Sequence, residues 1–576
     1  MNADVMDVII IGAGLSGIGA AWRLQERCSD LTYTVLEGRA DLGGTWDLFR
    51  YPGVRSDSDM MTLGYPFRPW RAARTIAPGA DILAYIRETA EAGGVLPHIR
   101  FRHRVVAASW SSAEALWTLQ VQVGASGDGL PIDAQPTDAQ RTDALPSGAV
   151  CRLRCRFLYA CCGYYDYAQG HAPAFPGMAA FAGQLVHPQH WPADLDHAGK
   201  QVVVIGSGAT AMTLVPALAA SAARVTLLQR SPSYVASLPA RDRWAERLRR
   251  ILPEGPAHGI VRWKNVLVSL AFYQFCRRWP DRARAFLRTG VVRQLPAGYP
   301  VDRHFRPRYQ PWDERLCLVP NGDLFRAIRA GTAEVVTDEI ASFTPTGIRL
   351  QSGQVLPADI VVSATGLTLQ AAGGIRFLVD ARPVDLSRAL VYRGVLLQGL
   401  PNLALCVGYT NASWTLRADL STLYVCRLLR HLRRQGLLAC VPRCDAADAA
   451  DADFPRPLLN LHSSYVRRGQ DVLPKQGARA PWLLRQNYLL DRLDFALRGV
   501  TEPALQFFAA GAHDGLAAVL AADSAVGLPP DPPDPPAMPS PDASAPSAAD
   551  TLVSAPNAPG MAASASGQPA CSGQPS

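Results

Sequence analysis

At 576 residues the chain is too long for one compact domain and long enough to bury a large core, so about three or four units of ordinary size are expected. Lys and Arg exceed Asp and Glu by 57 − 49 = 8, with the charges spread along the chain and no long basic block, which argues against a nucleic-acid partner. Twelve cysteines without metal spacing, no apolar run of the ~18–20 residues a membrane span needs, and a start that enters a strand without a secretory leader suggest a cytoplasmic protein with reduced thiols and no metal site, soluble or at most peripheral to a membrane.

The first element is a strand. Residues 8–11, a β-branched run within DVIIIGAG, lead directly into Gly12, Gly14 and Gly17 and then the helical stretch AAWRLQERC. Strand, glycine turn and helix let the backbone turn tightly, approach a pyrophosphate and hold it at the helix N-terminus. The next strand, YTVLE, ends at Glu37, where a carboxylate can accept hydrogen bonds from a ribose hydroxyl pair. A unit of this kind at the extreme N-terminus, followed by a second one, favours FAD over NAD.

Residues 38–60, GRADLGGTWDLFRYPGVRSDSDM, carry glycine and aromatics without helical or strand periodicity and read as a structured loop. On its own, Asp57 within it is a turn or cap residue. Residues 81–93 read as a helix and 99–123 as strands of a small β unit. Residues 124–148 are polar and rich in Asp, Gln, Pro and Gly, a surface insertion without function. The strand CRLRCRFLYACCGYY then returns to the first unit.

Between the two nucleotide signatures lies FAGQLVHPQHWP, with Phe181, Gly183, His187, Trp191 and Pro192 in the pattern F-x-G-x-x-x-H-x-x-x-W-P. As an ordinary linker it would use Phe181 and Trp191 as core aromatics. His187 has no evident proton to move, so it reads as a positioning residue for domain movement.

The second unit, QVVVIGSGATAMTLVPALAA, places Gly206, Gly208 and Ala211 in the G-x-G-x-x-A form, and its next strand, RVTLLQR, ends at Arg230. Glu37 lies 37 − 12 = 25 residues after Gly12, and Arg230 lies 230 − 206 = 24 after Gly206. One structural position thus carries a carboxylate in one unit and a guanidinium in the other. A carboxylate repels a 2′-phosphate and Arg forks onto it, so the second nucleotide is expected to be NADPH, with Ser231 adding a hydroxyl donor.

Residues 242–295 are basic and helical, with an aromatic face in IVRWKNVLVSLAFYQFCRRWP. They read as an insert over the substrate side of the NADPH domain, with a membrane-interface helix as the alternative. Arg315 follows in a loop before the apolar LCLV. PADIVVSATGL, LPNLALCVGYTNASW and a helix over 416–435 close the chain's second half, and from 523 to 576 Pro, Ala, Ser and Asp dominate, the composition of a disordered tail.

The 181–192 pattern resembles the fingerprint of the Baeyer–Villiger (class B) flavin monooxygenases. Gly43, Gly44, Thr45 and Trp46 resemble the family's GGTW, which runs along the FAD, and YPGVRSD at 51–57 resembles the loop carrying its active-site aspartate, here Asp57. RYPGVRSDSDM, HPQHWPADLD, VVVIGSGATA, LLQRSP, PWDERLCLVPNGDLFRAIR, GYTNASWTLRADL and PKQGARAPW together resemble the ethionamide-activating branch, over residues 7–487.

The resemblance implies an α/β fold of two Rossmann-like dinucleotide-binding domains with a helical subdomain insert. A split FAD domain would occupy 1–165 and 360–500, and an NADPH domain 166–359, with the insert at 242–300. It implies Arg315 as the catalytic arginine, and a C4a-peroxyflavin formed from NADPH, FAD and O2 that oxygenates a small-molecule ketone or sulfur compound. One departure is Glu314, where many family members carry Lys as a further phosphate contact; NADPH preference then rests on Arg230. The rivals are a nitrogen- or sulfur-oxygenating flavin monooxygenase without ketone activity, a flavin disulfide reductase, which would need a Cys pair that residues 43–46 lack, and a non-catalytic redox sensor, which has no need of Arg315 or Asp57.

Overall fold

The β-branched run at the N-terminus forms the strand Met6–Ile11, flanked in parallel by Tyr33–Leu36 and Val150–Ala160, with Ile11 level with Leu36 and Ala160. Val8 and Ile10 point into one apolar cluster and Ile9 and Ile11 into another. Both faces of the sheet are covered, which is why the strand is apolar throughout instead of alternating. In this computed structural model the described residues are 5–124, 148–444 and 455–527.

The first sheet draws strands from both halves of the chain. Leu116–Val123, His103–Ser111 and Arg376–Val379 extend it on one side, and Leu403–Leu405 pairs in parallel with Val150–Ala160. On one face the helix Leu15–Arg27 packs against Trp414–Arg434, joined by Arg23 Nε donating to Asp419 Oδ1 at 2.8 Å. The loop at 38–60 contains two short helices that its composition did not suggest, Thr45–Leu48 and the first residue of Met60–Leu63. Of the expected insertion, residues 125–147 lie outside the described residues; the strands on either side of it are antiparallel neighbours, Gln122 opposite Val150.

A second, all-parallel sheet runs Ala333–Thr337, Arg224–Gln229, Gln201–Ile205, Ile360–Ser363, Gln184–Val186. The expected boundary at 359/360 is therefore misplaced. Ile360–Ser363 is a strand of this sheet, held between its neighbours by ladder hydrogen bonds, and the chain leaves only after Ser363. Tyr165–Gly170 and Leu367–Leu369 pair antiparallel as the two crossings between the sheets.

Helices Arg243–Ile251, Glu254–Arg278, Pro280–Val292 and Val301–His304 form the insert, which runs slightly past 300. The longest was expected over the NADPH domain but packs on the first unit, with Val261 in that unit's core and Val266 against Tyr409 and Leu416. Arg262, buried, donates from Nη1 to the carbonyls of Met61, Thr62 and Gly64 at 2.7, 3.2 and 2.8 Å, and Asn265 Nδ2 to Asp59 Oδ1 at 2.9 Å. The insert thereby grips the loop that carries Asp57.

Past residue 500, where the first domain was expected to end, Leu505–Ala509 pairs with Leu437–Pro442, and the helix His513–Gly527 buries Leu516 and Leu520. The expected tail thus loses its first five residues to this helix, and 528–576 lie outside the described residues. Among the described residues no helix is long and apolar enough to cross a membrane.

Candidate functional site

A cavity of about 1050 Å³ lies against both glycine turns. On its first wall, Gly12 has φ +99°, and a Cβ there would lie 2.8 Å from the Cys161 carbonyl oxygen; at Gly17 it would lie 1.8 Å from that of Gly12. Gly14 caps the helix Leu15–Arg27 without any side-chain bond to its first amides, and the first turn holds no acid. An uncapped helix N-terminus facing a cavity is a site for a phosphate. Glu37 is buried at the cavity edge, accepting from Ala13 N at 2.7 Å and Arg39 N at 2.9 Å. Burial pushes its pKa up against those two donors. Gly44, Thr45 and Trp46 continue this wall, with Thr45 Oγ1 3.3 Å from the Tyr167 hydroxyl.

The second wall repeats the first. Gly206 has φ +135°, and a Cβ on it would lie 2.3 Å from the Ala364 carbonyl, the counterpart of Gly12 against Cys161. Gly208 caps Ala209–Leu218, again without a side-chain bond, and apart from its chain neighbours no atom of the described residues lies within 4 Å of where its Cβ would be. That gap before a free helix N-terminus accommodates a phosphate. Arg230 and Ser231 line the cavity, exposed, at the end of Arg224–Gln229, and Arg230 has no ion pair among the described residues. Gly17 and Ala211 lie behind the walls as packing residues. Both dinucleotide cradles fit their cofactors.

Arg315 Nη1 donates to Asp57 Oδ2 at 2.8 Å, and 33% and 37% of the two side chains' surfaces remain open, facing the cavity. Enclosure by itself favours the neutral guanidine; the charge of Asp57, foremost among the opposing groups, holds the Arg315 pKa well above its ordinary value. Nε of Arg315 is a buried donor with no partner among the described residues. Tyr164, Tyr165 and Tyr465 stand around the pair, and burial pushes the Tyr465 phenol up to about 12.

Local structure explains the meeting. Arg315 precedes the strand Cys317–Pro320, which pairs with Val235–Leu238, and three residues earlier Trp312 turns the loop with φ +72°, a strained value for a bulky residue. The Asp57 loop is pinned by Ser56 N to Ala77 O at 3.0 Å and Gly79 N to Val54 O at 2.8 Å. At Gly53, φ +75°, a Cβ would lie 2.7 Å from Ala217 Cβ, so glycine lets this loop reach the second unit's helix.

The fingerprint residues Phe181, Gly183, His187, Trp191 and Pro192 do not line the cavity. Phe181 is a core aromatic against Phe343, ring centroids 5.8 Å apart, and Trp191 packs half-buried on the second unit's core. His187 instead meets the crossing strand: a Cβ at Gly170 would fall 1.9 Å from its Cε1. Its Nδ1 accepts from Gln189 N at 3.2 Å, and Gln189 Nε2 donates to the carbonyls of Asp166 and Tyr167 at 2.9 and 3.0 Å. The fingerprint is thus a clip on Tyr165–Gly170, whose other side lines the cavity. His187→Ala is expected to slow turnover on the order of tenfold through misplacement while FAD stays bound. Because burial pushes the His187 pKa down, the pH–rate profile above neutrality should keep its shape; loss of a titrating limb there would make His187 an acid–base catalyst instead.

Sequence reasoning missed Gln189, Tyr164, Tyr165, Tyr465 and the arginines Arg467 and Arg468, all but the first of which line the cavity. Among the described residues no cluster of His, Cys, Asp or Glu is placed to hold a metal ion.

Residues 10–72 match the family description "NAD(P)-binding Rossmann-like domain" and residues 155–245 match "Flavin-binding monooxygenase-like". The chain is 52% identical over 487 residues to the FAD-containing monooxygenase EthA of Mycobacterium tuberculosis, spanning 84% of this chain and 94% of that one. With EthA of Mycolicibacterium smegmatis it shares 50% over 502 residues, 87% and 96% of the two chains. The chain belongs to the family of FAD-containing monooxygenases. An oxidized steroid monooxygenase bound to NADP shares the fold of this FAD-containing monooxygenase, with TM-score 0.67, 22% identity and coverage of 88% of this chain and 100% of that one. So does a cyclohexanone monooxygenase of Rhodococcus sp. Phi1 bound to NADP+, with TM-score 0.67, 19% identity and the same coverage.

Proposed function

We propose that this monooxygenase, drawing on FAD and NADPH, transfers one oxygen atom of O2 to a ketone, giving an ester or lactone, or to thioether or thioamide sulfur, the other atom leaving as water. The observation that carries the proposal is the Arg315–Asp57 pair, a fixed positive charge held by a carboxylate and opening into the cavity that the two glycine turns share. Gly12, Gly14, Glu37 and residues 43–46 would hold FAD, which would supply the relay of two electrons from NADPH and the activation of oxygen.

The chain's own groups do the rest. The amides after Gly14 and after Gly208 receive the two pyrophosphates, Glu37 accepts from a ribose, and Arg230 with Ser231 binds the 2′-phosphate of NADPH. Arg315, protonated throughout the working range, presents N–H donors to the negative charge that develops on the oxygen donor and on a substrate carbonyl oxygen. Asp57 keeps that guanidinium in one orientation, and the Asp166 and Tyr167 carbonyls, clipped by Gln189, keep the cavity wall beside it in register.

NADPH oxidation measured with and without a linear ketone, a cyclic ketone and a thioether, with product mass analysis, tests the proposal. A product heavier by one oxygen, formed with stoichiometric NADPH, is expected. Sulfur products alone across the ketone panel would assign a sulfur-oxygenating enzyme, and hydrogen peroxide with no oxygenated product under every condition would leave only a reductase.

A further inference from the structure

Charged residues run along the whole chain without a long basic block, yet the excess of positive over negative falls in one segment. Residues 241–293 hold thirteen basic side chains (twelve Arg and Lys264) and four acidic ones, a net of 13 − 4 = +9, so the remainder of the chain, at +8 overall, carries 8 − 9 = −1. Part of the insert's charge is used internally: Arg262 is buried on carbonyls, Lys264 pairs with Asp242, Arg277 with Asp313 and Arg288 with Asp302. Six arginines, Arg243, Arg247, Arg250, Arg278, Arg282 and Arg293, are exposed and make no ion pair among the described residues.

Apolar side chains are exposed among them. On Glu254–Arg278, Ile260, Trp263 and Leu267 recur at helical spacing on the outer side, opposite the buried Val261, Arg262 and Val266. Leu490, Leu493 and Leu497 do the same on Tyr488–Leu497, with Leu497 76% exposed. The two helices touch: the rings of Trp263 and Tyr488 lie 5.9 Å apart, and the Arg492 guanidinium sits 5.1 Å over Trp263. Beside them, Arg243–Ile251 exposes Trp244, at 61%, and Ile251 next to Arg243, Arg247 and Arg250.

We propose that this face seats in plane on an anionic phospholipid surface, tryptophan and leucine side chains entering the interface and the free arginines meeting the headgroups. An outward apolar stripe edged by Arg and Trp is the pattern of a helix that lies on a membrane without crossing it. The charge selects this occupant over a second copy of the chain: in a two-fold dimer the same patch meets itself, which would set the unpaired arginines of one copy against those of the other. The seat also adjoins the cavity, because the helix that presents Ile260, Trp263 and Leu267 outward holds the loop at 59–64 with Arg262 and Asn265 on its inner side.

Co-sedimentation of the full-length flavoprotein with vesicles tests this. Binding is expected to phosphatidylglycerol–phosphatidylcholine vesicles and not to phosphatidylcholine alone, with release at 1 M salt as the Debye length falls to about 3 Å. The triple substitution Arg243→Gln, Arg247→Gln, Arg250→Gln should lower the partition coefficient about a hundredfold, from ~1 kcal/mol for each basic residue near the surface. Leu267→Gln with Leu493→Gln should weaken it independently, and both variants should keep their flavin and their rate of NADPH oxidation. Equal binding to neutral and anionic vesicles, or no binding to either, overturns the proposal. So does a dimer in light scattering that the same substitutions dissociate, which would make the face a contact between copies.

Discussion

Arg315→Ala is expected to retain FAD and to oxidise NADPH while forming neither ester nor sulfoxide, its reducing equivalents emerging as hydrogen peroxide. Oxygen transfer develops negative charge on the oxygen donor and on the substrate's carbonyl oxygen. A donor already held in place stabilises that charge without reorganising, and removal of one such group costs about 2.7–4 kcal/mol, or roughly a hundred- to a thousandfold in product formation. Cofactor binding should survive, because neither dinucleotide cradle uses this side chain. Asp57→Asn keeps a hydrogen-bond acceptor while removing the charge that stabilises Arg315 in its enclosed site, so a smaller loss of the same kind is expected. Arg315→Lys should rescue little, since a lysine cannot bond the carboxylate and a second oxygen with one planar fork. Oxygenated product at the parent rate from Arg315→Ala, with peroxide at background, would end the assignment.

Glycines carried the most legible part of this fold. At Gly12, Gly17 and Gly206 a side chain would strike a carbonyl oxygen, so those glycines are fixed by backbone geometry and mark strand, turn and helix in the sequence itself. Ile360–Ser363 was harder to assign. An apolar run buried on both faces has no alternation to say which sheet it joins, and only its ladder to Gln201–Ile205 and Gln184–Val186 assigns it.

The site was legible unevenly for a similar reason. Asp57 and Arg315 are 258 residues apart and meet only because two loops converge, so family resemblance and not spacing brought them together. The fingerprint drew attention to His187, whereas the side chain that reaches the cavity wall is Gln189, at one of the pattern's variable positions. Its acceptors are the main-chain carbonyls of Asp166 and Tyr167, which every residue type supplies, so no sequence signal records the contact. Tyr465 stands on a five-residue helix, Ser464–Arg468, too short to show a period.

Arg230→Ala is expected to raise the Michaelis constant for NADPH by about 10- to 150-fold and that for NADH hardly at all. The range corresponds to ~1.5–3 kcal/mol for a hydrogen bond to a charged group. Glu37 and Arg230 close the corresponding strands of the two units, yet their settings differ. Glu37 is buried, with both oxygens already accepting backbone N–H groups, a position for fixed, uncharged hydroxyls. Arg230 is exposed at the cavity rim and free of carboxylate partners among the described residues, so its five donors remain for a dianionic 2′-phosphate. With Glu314 in place of a lysine beside Arg315, no second cation stands at that sequence position to share the phosphate, which is why a large fraction of the discrimination should rest on one side chain. Its exposure sets a further expectation: the preference for NADPH should shrink as salt is raised, because exposed charges are screened over about 8 Å at physiological ionic strength. Ser231→Ala, removing a neutral donor, should cost only ~0.5–1.5 kcal/mol and add to the Arg230 effect. Steady-state kinetics with both nucleotides read the outcome directly: a rise in the Michaelis constant of the same size for NADH and NADPH would show that Arg230 supports the fold of the rim and does not read the phosphate.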